Sequence, residues 1–239
     1  MTLLLDALSI DARDPVALAG FWAGLLGREV ADDPGGGVVL APVDHTGFAV
    51  RFVPGGEPGA GPNVMHPDLT STSLDDQRHL VDRALALGAR HLDVGQRGDE
   101  GHVVLADPEG NELCVLEPGN RFLAGCGLLG ALAGDGSRAA GRFWSAALGW
   151  PLVWDQDEET AVQSPLGGPK ITWGGPPVRP GPGRSRWHLD LVPSPGSDQR
   201  AEVERLVDLG ATHVDAGPRV GRVVLADPDG HALCVLEAP

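Results

Sequence analysis

Two histidines each stand two residues before an aspartate, as His66-x-Asp68 and His188-x-Asp190. In an extended segment that spacing puts both side chains on one face of a strand. The carboxylate can then orient the imidazole or accept a ligand proton, and a histidine base is reasonable near neutral pH. The plainer reading of each pair is a hydrogen-bonded polar couple at a strand entrance, or a ligand contact without chemistry. Two cysteines, Cys114 and Cys234, recur in one shared context, ELCVLE and ALCVLE. Alternation sets each opposite its leucine and valine neighbours, so both are candidates to face a cavity. Neither sits in a pattern that marks a lowered pKa or a nucleophile–base pair, and a buried thiol also packs as a small hydrophobe. Cys126 has no counterpart in the other copy.

Aromatic residues supply a second kind of candidate. Five of the six tryptophans lie after residue 120. Trp173, in the strand-like Pro169-Lys170-Ile171-Thr172-Trp173, takes the place of Arg51 when the copies are laid together at one offset. Trp187 immediately precedes the second His-x-Asp pair. Both are candidates to stack on a planar or apolar ligand. Trp22 and Trp144 follow Phe21 and Phe143 at helical spacing and are expected to pack against a sheet.

The elements that must position these residues are written twice. Residues 103–117, VVLADPEGNELCVLE, and 223–237, VVLADPDGHALCVLE, agree at twelve of fifteen positions. Phe21-Trp22 returns as Phe143-Trp144, and Leu87-Gly88-Ala89 as Leu209-Gly210-Ala211. An ordered series of this length marks a tandem duplication, with domains expected at 1–118 and 121–239. Within each half the pattern repeats again. A strand-like run at 3–10 leads to Asp14-Pro15, a helix cap followed by proline at the first helical position. Leu18, Phe21, Trp22 and Leu25 then give a helical stripe that ends at Gly27. Short strands follow near 28–31, 37–41 and 46–53. A strand at 64–70, a helix at about 76–87 with Asp75 as a candidate cap, and strands near 90–94, 102–106 and 112–117 repeat the order. The chain reads as four βαβββ units of an α+β fold, each helix covering one face of a cupped mixed sheet. Each half is long enough to form its own two-unit cavity; the alternative is exchange of units between halves or chains. The Asp107-Pro108-Glu109-Gly110-Asn111 and Asp227-Pro228-Asp229-Gly230-His231 segments lack calcium-loop spacing and read as turns.

Composition narrows the function classes. The chain has 239 residues, 18 basic and 33 acidic, with a formal charge of -15. That sign disfavours nucleic acid and anionic membrane surfaces. The first 119 residues carry 7 basic and 19 acidic groups, so most of the charge sits in the first half. No run approaches the length of a spanning helix, the start lacks a signal-peptide pattern, and three cysteines do not form a disulfide framework. The expected setting is cytoplasmic, with no membrane partner and a homo-oligomer left open.

The Phe-Trp…Leu-Gly opening, the His-x-Asp-Leu strand, the Leu-Gly-Ala helix exit and the Ala-Asp-Pro-x-Gly turn, in that order and twice over, resemble the vicinal oxygen chelate superfamily. Its members include glyoxalases, bleomycin-resistance proteins and extradiol dioxygenases. The resemblance covers both halves and implies a tandem duplicated glyoxalase-like fold. In metal-dependent relatives, ligands come from the first strand, the strand after the midpoint and the final strand. Those patterns fall here on Ala7 and Leu129, on His66 and His188, and on Cys114 and Cys234. Only histidine keeps its expected form, so no metal and no other cofactor is expected.

The first functional expectation is metal-independent binding or sequestration of an apolar or aromatic small molecule. Trp173, Trp187, His188, Asp190 and Cys234 would contact it, with His66 and Cys114 in a second site. One alternative is a lyase or isomerase with His66, Asp68, His188 and Asp190 as acid–base residues. Another is a structural or regulatory interaction protein.

Overall fold

A computed structural model describes residues 3–33, 35–55, 63–96, 100–175, 178, 186–215 and 221–237. Four βαβββ units follow one another. The first comprises β1 (Leu3–Ala12), α1 (Pro15–Leu26), β2 (Val30–Asp32), β3 (Val38–Leu40) and β4 (Ala49–Pro54). The second comprises β5 (Met65–Leu69), α2 (Leu74–Ala86), β6 (Arg90–His91), β7 (Val103–Ala106) and β8 (Glu112–Val115). The third comprises β9 (Leu129–Gly134), α3 (Arg138–Leu148), β10 (Leu152–Gln156), β11 (Glu159–Gln163) and β12 (Lys170–Trp173). The fourth comprises β13 (Trp187–Pro193), α4 (Gln199–Asp208), β14 (Thr212–His213), β15 (Arg222–Ala226) and β16 (Ala232–Leu236).

The helices start and stop where local chemistry directs. Asp14 accepts from the Ala17 amide to cap α1, and Gly27 closes it at φ 66°, a left-handed conformation suited to glycine. Ser137 and Gly149 do the same for α3. The cap of α2 is Ser73, whose hydroxyl accepts from the Asp76 amide; Asp75 lies inside the first turn. Serine wins because the chain is still extended at 73, where a cap must be.

Two eight-stranded mixed sheets result. Their orders are β14-β15-β16-β13-β1-β4-β3-β2 and β10-β11-β12-β9-β5-β8-β7-β6. The first joins units one and four through antiparallel β1 and β13; the second joins units two and three through antiparallel β5 and β9. We name their helix-free faces the end cup and the middle cup. Each sheet thus takes one unit from each half, which is the exchange that sequence periodicity leaves open.

The duplicated motifs bind the two sheets within each half. Trp22 Nε1 on α1 donates to Asp107 Oδ2 at 3.1 Å, and Trp144 Nε1 on α3 donates to Asp227 Oδ2 at 3.0 Å. Glu109 accepts from the Arg13 and Asp14 amides, and Asp229 accepts from the Ser137 hydroxyl and amide. The Asp-Pro-x-Gly turn of one unit therefore caps the helix entrance of its neighbour in the other sheet. That double duty accounts physically for the recurrence of Phe-Trp with the distant turn.

Between helices and sheets lies the apolar core, including Leu8, Ile10, Leu25, Leu105, Leu189 and Leu233. Trp173 stacks on Trp144 at 6.2 Å, and Trp187 meets Trp22 edge to face. Trp187 also donates to Asn111 Oδ1. Both tryptophans face the helices, so the expected ligand-stacking role for Trp173 and Trp187 is corrected to core packing. The reason is strand alternation. Trp173 shares the face of Ile171, and Trp187 shares that of Leu189 and Leu191, leaving the opposite face to His188 and Asp190.

Candidate functional site

Alternation along β5 and β8 sends His66, Asp68, Glu112 and Cys114 into the middle cup while Leu69, Leu113 and Val115 enter the core. Parallel pairing sets Asp68 beside Cys114. His66 Nε2 stands 3.3 Å from Asp68 Oδ1. One donor atom each from His66, Asp68 and Cys114 lies within 4.8 Å of the others. Burial alone would lower the His66 pKa, but the interactions with Asp68 and Cys114 outweigh it and raise it to about 10. His66 is an imidazolium at neutral pH, a donor and an acid rather than a ready base.

A cleft of about 720 Å³ opens onto this triangle. Its wall includes His66, Cys114, Glu112, His102, Asp93 and Asp135, with Val64, Val94 and Val104 as apolar patches. This lining sets carboxylates and histidines into a surface that is mostly apolar. It has the size of a small-molecule site.

The end cup repeats the triangle with His188, Asp190 and Cys234, again within 4.8 Å of one another. Asp190 pairs in parallel with Cys234 and antiparallel with Ala7. Its surroundings differ. Ser9 Oγ donates to Asp190 Oδ2 at 2.6 Å, and Arg51 Nη1 donates to the same oxygen at 2.7 Å. Arg51 also reaches Asp6 at 3.0 Å and Asp33 at 3.3 Å. Asp190 is 0% exposed and His188 7%. His188 Nε2 and Asp190 Oδ1 stand 3.3 Å apart, yet neither makes a hydrogen bond, so charge rather than alignment holds them together. Burial would raise the Asp190 pKa; His188, Ser9 and Arg51 outweigh it and leave it lowered. His188 is raised to about 10, burial being outweighed by Asp190 and Cys234.

Sheet register keeps Ala7 opposite its triangle and puts Ala131 in place of Leu129. His188 faces Ser9 and Asp190 faces Ala7, whereas His66 faces Ala133 and Asp68 faces Ala131. Leu129 pairs with Leu69 and is not opposite the triangle. The same register carries Arg51 beside Ser9 and Thr172 beside Ala133, so Thr172, not Trp173, is the structural counterpart of Arg51. Ser9 and Arg51 are the site residues that sequence reasoning missed. An arginine inside the apolar run of β4 was their one visible signal.

Paired βαβββ units that present a histidine–aspartate–cysteine triangle on a helix-free sheet face define a class of cupped small-molecule protein. The family model described as "Glyoxalase-like domain" matches residues 7–116 and 131–236. The chain belongs to that family, within the vicinal oxygen chelate superfamily of glyoxalase and bleomycin-resistance relatives, and carries its domain in tandem. Among solved structures it is similar to glyoxalase I from Zea mays, with 14% identity, a TM-score of 0.65, and coverage of 99% of this chain and 92% of that one. It is also similar to a protein of suggested dioxygenase activity from Bacillus subtilis, with 13% identity, a TM-score of 0.61, and coverage of 100% and 86%. At such identities these likenesses show the fold. No curated protein sequence matches the chain. Among the described residues, no helix is long and apolar enough to cross a membrane.

The metal ion used by several members of the superfamily can be tested against the two donor sets. The end cup does not fit it. One oxygen of Asp190 is already taken by Ser9 and a guanidinium, and a divalent cation would lie against Arg51. In the middle cup, imidazole, carboxylate and thiol fit a borderline-soft ion such as Zn²⁺. Ala131 and Ala133 add no donor from β9, so a fourth position is open to water or ligand.

Proposed function

We propose that the middle cup is the working site of this protein and that it binds a small molecule with both polar and apolar parts, with His66 and Cys114 at its base. The observation that carries this reading is the opening of the cleft onto His66 and Cys114, beside Glu112. His66, held charged beside Asp68, donates to an oxygen of the ligand. The carboxylates of Asp93 and Glu112 favour a ligand with hydrogen-bond donors or positive charge, in keeping with the acidic first half. Trp173 and Trp187 pack in the core, so stacking on them is not part of this reading, while Val64, Val94 and Val104 offer a wall for an apolar part of the ligand. The end cup, tied by Ser9 and Arg51, serves structure.

The donor triangle favours a second reading, a lyase or isomerase. His66, Asp68 and Cys114 would hold a divalent ion, which supplies Lewis-acid polarisation of a ligand oxygen when bound. The chain's own part is to orient the ligand against the wall formed by Glu112 and His102 and to hold a proton on an imidazole there. Native mass spectrometry of the protein from a metabolite-rich extract, with metal analysis of the same sample, tests both. A retained metabolite lost in His66→Ala supports the binding site; retention in that variant overturns it. Turnover of the metabolite that disappears in Cys114→Ser while binding persists supports the enzyme.

A further inference from the structure

We infer that Arg51 is a built-in counter-cation that occupies the ion position of the end cup, so that only the middle of the two identical triangles is open to a soft divalent cation. The inference deepens the reading of the middle cup as the working site and rests on it for the wild-type stoichiometry alone. Its basis is what surrounds each triangle. Three carboxylates, Asp6, Asp33 and Asp190, converge on one guanidinium at 3.0, 3.3 and 2.7 Å. Such a group of acids requires a cation near its centre. Arg51 provides it, and provides directed donors besides.

The end cup nevertheless retains the marks of an ion site. His188 Nε2 and Asp190 Oδ1 are buried without a hydrogen-bond partner, and His188, Asp190 and Cys234 all lie at most 7% exposed. The middle cup has the same triangle without the plug. Thr172 stands where Arg51 does, and Ala133 where Ser9 does. Arg51 reaches Asp190 across 139 residues of sequence, from the other half of the chain. Divergence of β4 from β12 at one position thus decides whether a triangle faces a fixed cation or an exchangeable one. An ion bound at the middle cup would displace both the thiol proton of Cys114 and the imidazolium proton of His66 to solvent.

Cobalt(II) added to the full chain tests this, because a thiolate ligand gives it a near-ultraviolet charge-transfer band and zinc displaces it. The wild type should take one equivalent. The band should vanish in Cys114→Ser and persist in Cys234→Ser. Arg51→Met should raise the uptake to two equivalents, with the added half of the band lost on further Cys234→Ser. The double variant Arg51→Met, Asp33→Asn relieves the excess negative charge and serves if the single variant does not fold. Arg51→Lys, which keeps a charge, should stay at one. If the wild type takes none but Arg51→Met gains one equivalent dependent on Cys234, the middle-cup reading fails and the role of Arg51 stands. Two equivalents in the wild type, or no gain in a folded Arg51→Met or double variant, overturns the inference.

Discussion

The two cups carry the same three residues in the same register and differ in what the partner unit brings to them. In the middle cup β9 contributes Ala131 and Ala133, and the Asp68 side chain has His66 at 3.3 Å and Cys114 beside it. In the end cup β1 and β4 contribute Ser9 and Arg51, and Asp190 is 0% exposed. A motif repeated in sequence therefore does not fix its own chemistry. The opposing strands decide whether a carboxylate is a structural counter-ion or an open donor.

The largest expected effect is a difference in stability between the two aspartates. Asp190→Ala leaves Arg51 and His188 buried with one carboxylate fewer, and loss of one partner from such a cluster costs about 3–5 kcal/mol. Asp68→Ala removes a group beside an open cleft, where His66 can reach solvent or release its proton, and should cost less than Asp190→Ala. Urea unfolding of both variants reads the difference directly. Equal losses would mean that the cups are structurally equivalent despite Arg51.

The inter-sheet bonds permit a finer comparison between the halves. Asp107 is raised in pKa by burial, despite donors from Asn111 and Trp22. Asp227 is lowered: burial opposes this, but His231 and Trp144 outweigh it. Trp22→Phe removes one donor to a buried carboxylate that has only neutral partners and should cost about 1–3 kcal/mol. Trp144→Phe leaves the imidazole of His231 in place, 3.3 Å from Asp227, and should cost less. A larger loss in Trp144→Phe would show that His231 does not compensate.

Much of this fold is legible in the sequence because periodicity and capping are local. Asp14-Pro15, Gly27, the Phe-Trp stripe and the repeated VVLADP segment each mark their own element, and the order of elements follows. The triangles are half legible. His-x-Asp needs only alternation, and Cys114 and Cys234 lie on a strand whose face alternation also sets. Ser9 and Arg51 reach Asp190 from 181 and 139 residues away, and no local pattern reports that. Aligning the halves at one offset matches Arg51 with Trp173, whereas the ladder matches it with Thr172. Exchange of units between halves is invisible for a related reason: each cup-lining strand alternates in the same way whichever unit it joins.

The smallest effect expected concerns pH, and it separates the cups by what each histidine needs. His66 and His188 are both raised from 6.5 to about 10, so each folded form holds a proton that the unfolded chain has largely released above pH 6.5. Each contributes stability that is fully present below pH 6.5 and lost as pH rises through about 10. Between pH 7 and 8 each histidine should lower the unfolding free energy by at most about 1.4 kcal/mol per pH unit. Asp68→Asn removes the principal support of the His66 proton, so the slope measured by urea unfolding should fall by one histidine while the protein stays folded. The remaining slope belongs to His188, whose proton is held by Asp190 at 3.3 Å within a dry cluster, together with His231, where burial is outweighed by Asp227 and the pKa is raised in the same direction. A slope unchanged in Asp68→Asn would show that Asp68 does not hold the His66 proton, and would turn the comparison of the cups against the middle one.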